Sequence, residues 1–306
     1  MAFDEQEFQK TLTYLSDAAP ETVLADLEAI RQFDQGQEEH LAREPGGCGW
    51  YLLVCFVCFI GAYVTAIIAA GTASSSLEAL AVMLLLVSGA AFALMVWNII
   101  RSVKFSRIPV FDLDNRRYEL ATGLVRLAGA DMGADQPLAM QVDFREHTHE
   151  DHLQRRGKVG HWNAEFYVDQ WLQLEGRLVD GTKFTIRLIE KQQERSRTKR
   201  GASGKLKTKE KTKISSEAIV SLKFKGKRYP RAAEQSATIE QYLKLPQWTT
   251  LKSVDASGSQ LTLRSTTRAS WTAGAAEPTE GDSTCDGVQW VAMMLLSLYA
   301  MLHASK

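Results

Sequence analysis

The chain has 306 residues, with 36 Lys and Arg against 36 Asp and Glu, so its formal net charge is zero. The charge is unevenly spread, because residues 1–48 are acidic and a basic cluster lies beyond residue 190. Four cysteines are too few and too scattered for a disulfide framework. Cys55 and Cys58 have CxxC spacing but lie in an apolar run, where we expect them to act as small hydrophobic residues.

The acidic segment 1–48 is predicted to be helical. Phe8, Leu12 and Leu15 follow the helical spacing i, i+4, i+7, and Pro20 stands where a second helix would begin. We expect a short helical pair that rests on the cytoplasmic domain or on another copy of the chain.

Two uncharged runs, residues 50–71 and 79–100, are the most informative feature of the sequence. Each exceeds the roughly 20 apolar residues that a helix needs to cross a bilayer. Residues 72–78 leave room only for a tight turn, so we predict a transmembrane helical hairpin over residues 49–103. Neither run contains Asp, Glu, Lys, Arg or His, so we expect an anchor rather than an ion or proton pathway.

Basic residues flank only one end of this hairpin. Arg101, Lys104 and Arg107 follow the second run, whereas the turn between the runs has neither Lys nor Arg. By the positive-inside rule, both termini face the cytoplasm. The sequence therefore predicts an integral protein of the cytoplasmic or inner membrane.

From residue 104 to 271 the apolar period changes from about 3.6 to about 2, which is typical of antiparallel strands with one buried face. The alternating sets are Leu138, Met140, Val142 and Phe144; Leu172, Leu174 and Leu178; Phe184, Ile186 and Leu188; Ala218, Val220, Leu222 and Phe224; and Leu261 and Leu263. We predict a compact β-sandwich or partly closed barrel, in which residues 112–117 form a turn between two further strands. A loop with an odd number of residues, three or five, around Asp180-Gly181 pairs Leu178 with Phe184 and keeps both apolar sets on one face.

After a flexible linker at residues 272–286, residues 287–306 are predicted to form an apolar C-terminal helix. Three alternatives stay open for this helix: a third membrane span, an interfacial helix, or a helix docked on the β-domain. The predicted fold class is an α+β membrane protein with N-terminal helices, a two-helix transmembrane hairpin, a mainly-β cytoplasmic domain and this C-terminal helix.

The sharpest chemical motif is formed by His147, His149, Asp151 and His152. It resembles the HxHxDH motif of the metallo-β-lactamase superfamily over six residues, and the resemblance implies one or two metal ions that activate water for hydrolysis. That superfamily also uses histidine ligands well downstream, whereas this chain has no histidine between residues 161 and 303. Continuing the strand alternation instead places His147, His149 and Asp151 on the solvent-facing side, as part of an exposed polar loop.

A second candidate is the basic ribbon, residues 194–213. Its cations recur at every second position on both sides of a Gly-rich tip, namely Arg195, Arg197 and Lys199, then Lys205, Lys207, Lys209, Lys211 and Lys213. This spacing predicts a β-ribbon with one basic face, suited to anionic lipid headgroups, to nucleic-acid phosphates or to the acidic segment of the same chain. Base-stacking aromatic residues are missing from the ribbon, so we do not expect recognition of a nucleic-acid sequence.

These features favour a non-enzymatic, membrane-anchored binding or scaffold module whose partner is an anionic lipid or an acidic protein surface. Two alternatives stay open: a metal-dependent hydrolase that uses the histidine motif, and a homo-oligomer whose hairpins assemble in the membrane as a pore. The uncharged spans argue against a hydrated pore. No catalytic residue and no cofactor are predicted.

Overall fold

The computed structural model describes residues 3–42, 49–72, 75–106, 112–133, 136–200, 204–230, 241–274 and 285–305. Over these residues the architecture is α+β, as predicted. The chain divides into two compact units. One comprises residues 1–32 and 113–306, and the other comprises residues 33–112.

The described helices are α1 (Glu5–Thr11), α2 (Pro20–Ala42), α3 (Gly49–Thr72), α4 (Ser75–Ser106), α5 (Asn115–Gly129) and α6 (Gly287–Ala304). The described strands are β1 (Thr13–Ala18), β2 (Leu138–Asp143), β3 (Leu153–Val159), β4 (Trp162–Arg177), β5 (Lys183–Arg200), β6 (Leu206–Lys223), β7 (Thr250–Ser257) and β8 (Gln260–Thr267). A short 3-10 turn, Glu150–His152, precedes β3.

The strands form one open antiparallel sheet in the order β1-β2-β4-β5-β6-β8-β7, with β3 paired alongside β4. The predicted sandwich or partly closed barrel is therefore wrong. A sandwich buries its apolar face against a second sheet, whereas here helices do so: α5 contacts β4, and α6 contacts β6 and β8.

The predicted alternation in this sheet is confirmed. Apolar residues of neighbouring strands are register partners in the buried layer, as in Leu172 with Leu188, Leu174 with Ile186, Ile186 with Val220, and Val220 with Leu263. The loop between β4 and β5 has an odd number of residues, as predicted. The predicted register is wrong, because Leu178 lies in the loop, where its N–H donates to Thr182 O, and Gly176 is the register partner of Phe184. A Cβ on Gly176 would lie 2.7 Å from the Phe184 ring, so the glycine makes room for that ring.

The N-terminal segment is only partly helical, which corrects the prediction for Leu12 and Leu15. Asp4 caps α1 by accepting from Gln6 N at 2.9 Å, and Leu12 ends the helix in a left-handed conformation with φ of 50°. β1 follows and pairs with β2, so Leu15 lies in an edge strand with 71% of its surface exposed. Pairing with a distant strand thus overrides the local helical spacing. α2 does begin at Pro20, as predicted.

Residues 112–117 do not form the predicted turn between strands. Asp114 instead caps α5 by accepting a hydrogen bond from Arg116 N at 3.1 Å. Leu120 and Leu124 then follow at helical spacing and are fully buried. The helix was missed because its first turn carries the polar residues that are equally typical of a turn.

The C-terminal helix α6 docks on the sheet, which is the third of the three predicted alternatives. Trp290 and Met294 are fully buried, and Trp290 Nε1 donates to Ser265 Oγ at 3.1 Å. Asp286 caps the helix by accepting from Val288 N at 2.8 Å. Most of the predicted linker, residues 275–284, lies outside the described residues.

In the second unit, α3 and α4 cover the two apolar runs and pack against each other. Ala62 is buried, whereas Phe56 and Trp97 are 68% and 69% exposed. By length and apolar composition, two stretches of the described residues are long enough to cross a membrane. Val82–Ile100 is 12% buried, and Gly287–Ala304 is 50% buried.

Candidate functional site

Two carboxylates lie directly opposite each other on the helix-covered face of the sheet. Asp169 of β4 and Glu190 of β5 are register partners with only 1% and 4% of their surface exposed. Buried like charges in this position destabilise a strand pair unless cations compensate them. The sequence does carry a signal for Glu190, since it continues the apolar alternation of Ile186 and Leu188 with a charged residue.

Arg117 of α5 supplies the first compensating charge. Its Nη2 donates to Asp169 Oδ2 at 2.6 Å, and its Nη1 donates to the backbone oxygen of Asp143. The guanidinium carbon lies 5.6 Å from the centre of the Trp171 ring, and the side chain is 2% exposed. Desolvation of a buried ion pair costs several kcal/mol per ion, so the pair of Arg117 and Asp169 is stable only with these additional contacts. Sequence reasoning missed Arg117 because it assigned this segment to a turn.

His147 supplies the second compensating charge. Its Nδ1 lies 2.9 Å from Asp169 Oδ2, and its Nε2 lies 2.8 Å from Glu190 Oε2. Burial alone would lower the pKa of His147, but hydrogen bonds to Asp169 and Glu190 outweigh it and raise the pKa to about 9. The imidazole is therefore charged at neutral pH, and its Nε2 donates to Glu190 Oε2. Its Nδ1 lies between Asp169 Oδ2 and Arg117 Nη2, which is 2.7 Å away and whose charge opposes the rise in the pKa of His147.

Further contacts hold Glu190 in place. Ser216 Oγ donates to Glu190 Oε1 at 3.3 Å, and Trp271 Nε1 donates to Ser216 Oγ at 2.9 Å. Burial would raise the pKa of Glu190, but the hydrogen bond and charge of His147 outweigh it and lower the pKa. Arg116 Nη2 lies 3.8 Å from Glu190 Oε1 and is a further cation next to this carboxylate. The result is an ionised, largely self-neutralising cluster beneath α5.

A second set of carboxylates surrounds His152, which is 6% exposed. His152 Nδ1 lies 3.1 Å from the backbone oxygen of Glu146, while Nε2 lies 3.3 Å from Asp143 Oδ2 and 3.6 Å from Asp169 Oδ1. Arg145 Nη2 donates to Asp143 Oδ2 at 2.6 Å. Burial would raise the pKa of Asp143, but hydrogen bonds from Arg145 outweigh it and lower the pKa.

The structure separates the residues of the HxHxDH motif. His147 turns inward to Asp169 and Glu190, so the prediction that it faces solvent is wrong. His152 turns inward to Asp143 and to the other oxygen of Asp169, while His149 and Asp151 lie at the surface. The alternation fails because β2 ends at Asp143 and the chain then turns into a 3-10 segment. The resemblance implied that the four side chains converge on a metal ion, and the structure does not bring them together in this way.

Within the described residues, two groups have the composition and spacing of a metal site. One is Asp114, His147 and Glu190, and the other is Asp143, His152 and Asp169. Each group offers one imidazole and two carboxylates. Only His147 and His152 of the four predicted metal candidates belong to these groups.

The predicted basic ribbon is formed by the outer ends of β5 and β6. Register partners in an antiparallel pair project to the same face. Arg195 pairs with Lys211, Arg197 with Lys209, and Lys199 with Lys207, while Lys213 pairs with Gln193. These seven cations, which we call the basic face, therefore share one side of the ribbon. Lys205 precedes β6 and lies outside this register.

The opposite face of the ribbon carries acidic and hydroxyl residues. Glu194 pairs with Glu165 on one side and with Thr212 on the other, and Glu210 pairs with Ser196. Apart from Arg200, which pairs with Leu206 near the tip, charge is thus segregated between a cationic side and an acidic side of the ribbon.

Nothing in the described part of the chain neutralises the basic face. None of its seven cations has an ion-pair partner within 4.0 Å there, and the described acids of residues 3–32 form no ion pair with it. Lys211 Nζ lies 5.5 Å from the centre of the Trp162 ring, so an aromatic residue of β4 borders the face. Sequence reasoning missed this neighbour, because it belongs to another strand.

No protein-family model, curated protein or solved structure matches this chain.

Proposed function

We propose that this protein is a membrane-anchored, non-enzymatic binding module. The α3–α4 hairpin is the anchor, and the basic face of the ribbon binds a surface of anionic lipid. The observation that carries the proposal is the row of seven aligned cations without an ion-pair partner among the described residues.

The anchor is supported by the exposed apolar surface of the hairpin. Large side chains such as Phe56, Leu86 and Trp97 are each at least 66% exposed. In water, contiguous apolar surface of this kind is unfavourable by roughly 25 cal/mol per Å². A bilayer removes that cost, and the basic residues after the second span favour a cytoplasmic location for both termini.

Lipid binding is supported by the geometry of the basic face. Each Lys or Arg near an anionic leaflet contributes about 1 kcal/mol, so several aligned cations together give firm binding at moderate ionic strength. The acidic residues Glu194 and Glu210 on the opposite face are repelled by the same surface, which fixes the orientation of the ribbon.

Enzymatic hydrolysis has less support, because Asp169 and Glu190 are buried and each contacts a cation. Of the exposed residues of the motif, Asp151 is paired with Arg145. General acid–base catalysis needs a group within reach of substrate. We therefore do not extend the metallo-hydrolase resemblance to this chain.

The test uses the full chain in lipid nanodiscs. Gln193, the register partner of Lys213 on the basic face, is changed to Cys and labelled with an environment-sensitive dye after the four natural cysteines are changed to Ala. We expect a change in dye emission in nanodiscs that contain anionic lipid but not in neutral ones. The change should disappear as salt shortens the Debye length well below about 8 Å.

A matched pair of variants assigns the effect to the basic face. Lys207, Lys209, Lys211 and Lys213 are changed to Gln in one variant. In the other, Lys183 and Lys223 at the opposite end of the same strands, and Lys225 and Lys227 just after β6, are changed to Gln, which removes the same charge. Only the first should lose the lipid response. Equal responses in anionic and neutral nanodiscs, or equal losses in both variants, would contradict the proposal.

A further inference from the structure

One carboxylate oxygen in the buried cluster has no hydrogen-bond partner among the described residues. Asp169 Oδ2 accepts from Arg117 and His147, but Asp169 Oδ1 accepts from neither, although the side chain is 1% exposed. An anionic oxygen buried without a partner is costly. Oδ1 points toward His152 Nε2, which lies 3.6 Å away.

The ring of His152 is oriented so that its Nε2 faces two carboxylates. Its Nδ1, 3.1 Å from the backbone oxygen of Glu146, has to be the N–H donor of that contact, since a carbonyl only accepts. In the neutral ring, Nε2 then carries a lone pair. A lone pair facing the carboxylates of Asp143 and Asp169 is unfavourable, so the site requires either a proton on Nε2 or a metal ion between the three atoms.

The spacing of the three atoms fits a metal ion better than a proton. A charge-assisted N–H···O bond would draw Nε2 to within about 2.7–2.9 Å of one oxygen. Here the two distances are 3.3 and 3.6 Å. Ligands at about 2.0–2.2 Å from a tetrahedral zinc ion lie about 3.4 Å from one another.

The neighbouring group of Asp114, His147 and Glu190 does not have this spacing. His147 Nε2 lies 2.8 Å from Glu190 Oε2, which is the length of a direct charge-assisted hydrogen bond. Both nitrogens of His147 already lie within hydrogen-bond distance of protein side chains. The two groups therefore have the same composition but different roles.

We propose that Asp143, His152 and Asp169 bind one divalent transition-metal ion, with zinc the best match to a site of one imidazole and two carboxylates. The partners already described would orient the ligands: Glu146 O fixes His152, and Arg145 holds Asp143. All three ligands are at most 7% exposed, so the ion is structural and joins the loop after β2 to β4.

Cobalt(II) is a spectroscopic probe of this site in the full chain. After treatment with a chelator, the detergent-purified protein is titrated with Co²⁺, and we expect visible d–d absorption that saturates at one ion per chain. His152→Gln should weaken binding at least about 10-fold. His149→Ala, which alters an exposed histidine of the same motif, should bind like the wild type.

Several outcomes would overturn the proposal. One is a wild-type protein that neither binds Co²⁺ nor retains zinc; another is binding that survives His152→Gln and is lost with His147→Gln or His149→Ala. If His152→Gln fails to fold, anomalous diffraction at the zinc edge from wild-type crystals locates the ion without any substitution. A zinc peak away from Asp143, His152 and Asp169, or no peak, also rejects the site.

Discussion

Asp169 and Glu190 face each other across β4 and β5, and the imidazole of His147 lies between their carboxylates, 2.9 Å from the first and 2.8 Å from the second. Two buried anions in register are compatible with a stable sheet only because α5 and the loop after β2 bring cations to them. The stability of the sheet should therefore depend on those cations.

Replacing Arg117 by Met should destabilise the protein by about 3–5 kcal/mol, because it leaves the buried carboxylate of Asp169 without its guanidinium partner. Chemical unfolding followed by tryptophan fluorescence measures the loss. The double variant Arg117→Met with Asp169→Leu removes both charges and should recover part of the stability. A double variant that is less stable than the single one would contradict this account.

The protein should lose stability as the pH rises from neutral toward 9. The pKa of His147 is raised from its ordinary 6.5 to about 9, so its stabilising contribution is complete below pH 6.5 and is lost as the pH passes about 9. The expected loss is on the order of 3 kcal/mol. It is measured as the fall in melting temperature between pH 6.5 and 9.

The control for this pH dependence lies in the same motif. His147→Gln should be less stable at pH 6.5 and should show a much smaller fall, whereas the exposed His149→Ala should behave like the wild type. The strand alternation had placed both histidines on the solvent-facing side, where changing both to Ala would be nearly neutral. Because His147 contacts Asp169 and Glu190, we now expect that double variant to be destabilised through His147 alone.

Gly287→Ala should destabilise the docking of α6 by about 1–3 kcal/mol. A Cβ there would lie 2.6 Å from the Trp271 ring and 2.8 Å from Leu120 Cδ1, so the helix start or the ring has to shift. Gly36→Ala is the matched control, since no atom lies within 4 Å of its Cβ position and Ala favours a helix interior by about 1 kcal/mol. The melting temperature should therefore fall in Gly287→Ala and rise in Gly36→Ala. Equal melting temperatures of the two variants would refute the close contact at Gly287.

Topology reporters should place both termini on one side of the membrane. β1 and α6 belong to the same compact unit, so the two ends of the chain have to share a compartment. We expect a reporter at the N-terminus and one after Lys306 to read cytoplasmic, and one inserted at Ser75 to read external. If only the reporter after Lys306 reads external, α6 is a third span and its docked position is wrong.

Local pattern was sufficient for the parts of the protein whose structure depends on neighbouring residues. The apolar runs at 50–71 and 79–100 predicted helices, and the alternation of Leu172, Leu174, Ile186 and Leu188 predicted strands with one buried face. Alternating Lys and Arg around a Gly-rich tip likewise predicted the ribbon, because side chains in a strand repeat at every second residue.

The tertiary structure alone decided which distant groups meet. Leu15 has helical spacing with Phe8, yet it lies in a strand because β2 offers it a partner more than a hundred residues away. His147 and His152 are near neighbours in sequence, yet they approach different oxygens of Asp169 and otherwise contact different carboxylates, Glu190 of β5 and Asp143 of β2. Burial and charge compensation depend on the packing of these elements together, and no local sequence period records that packing.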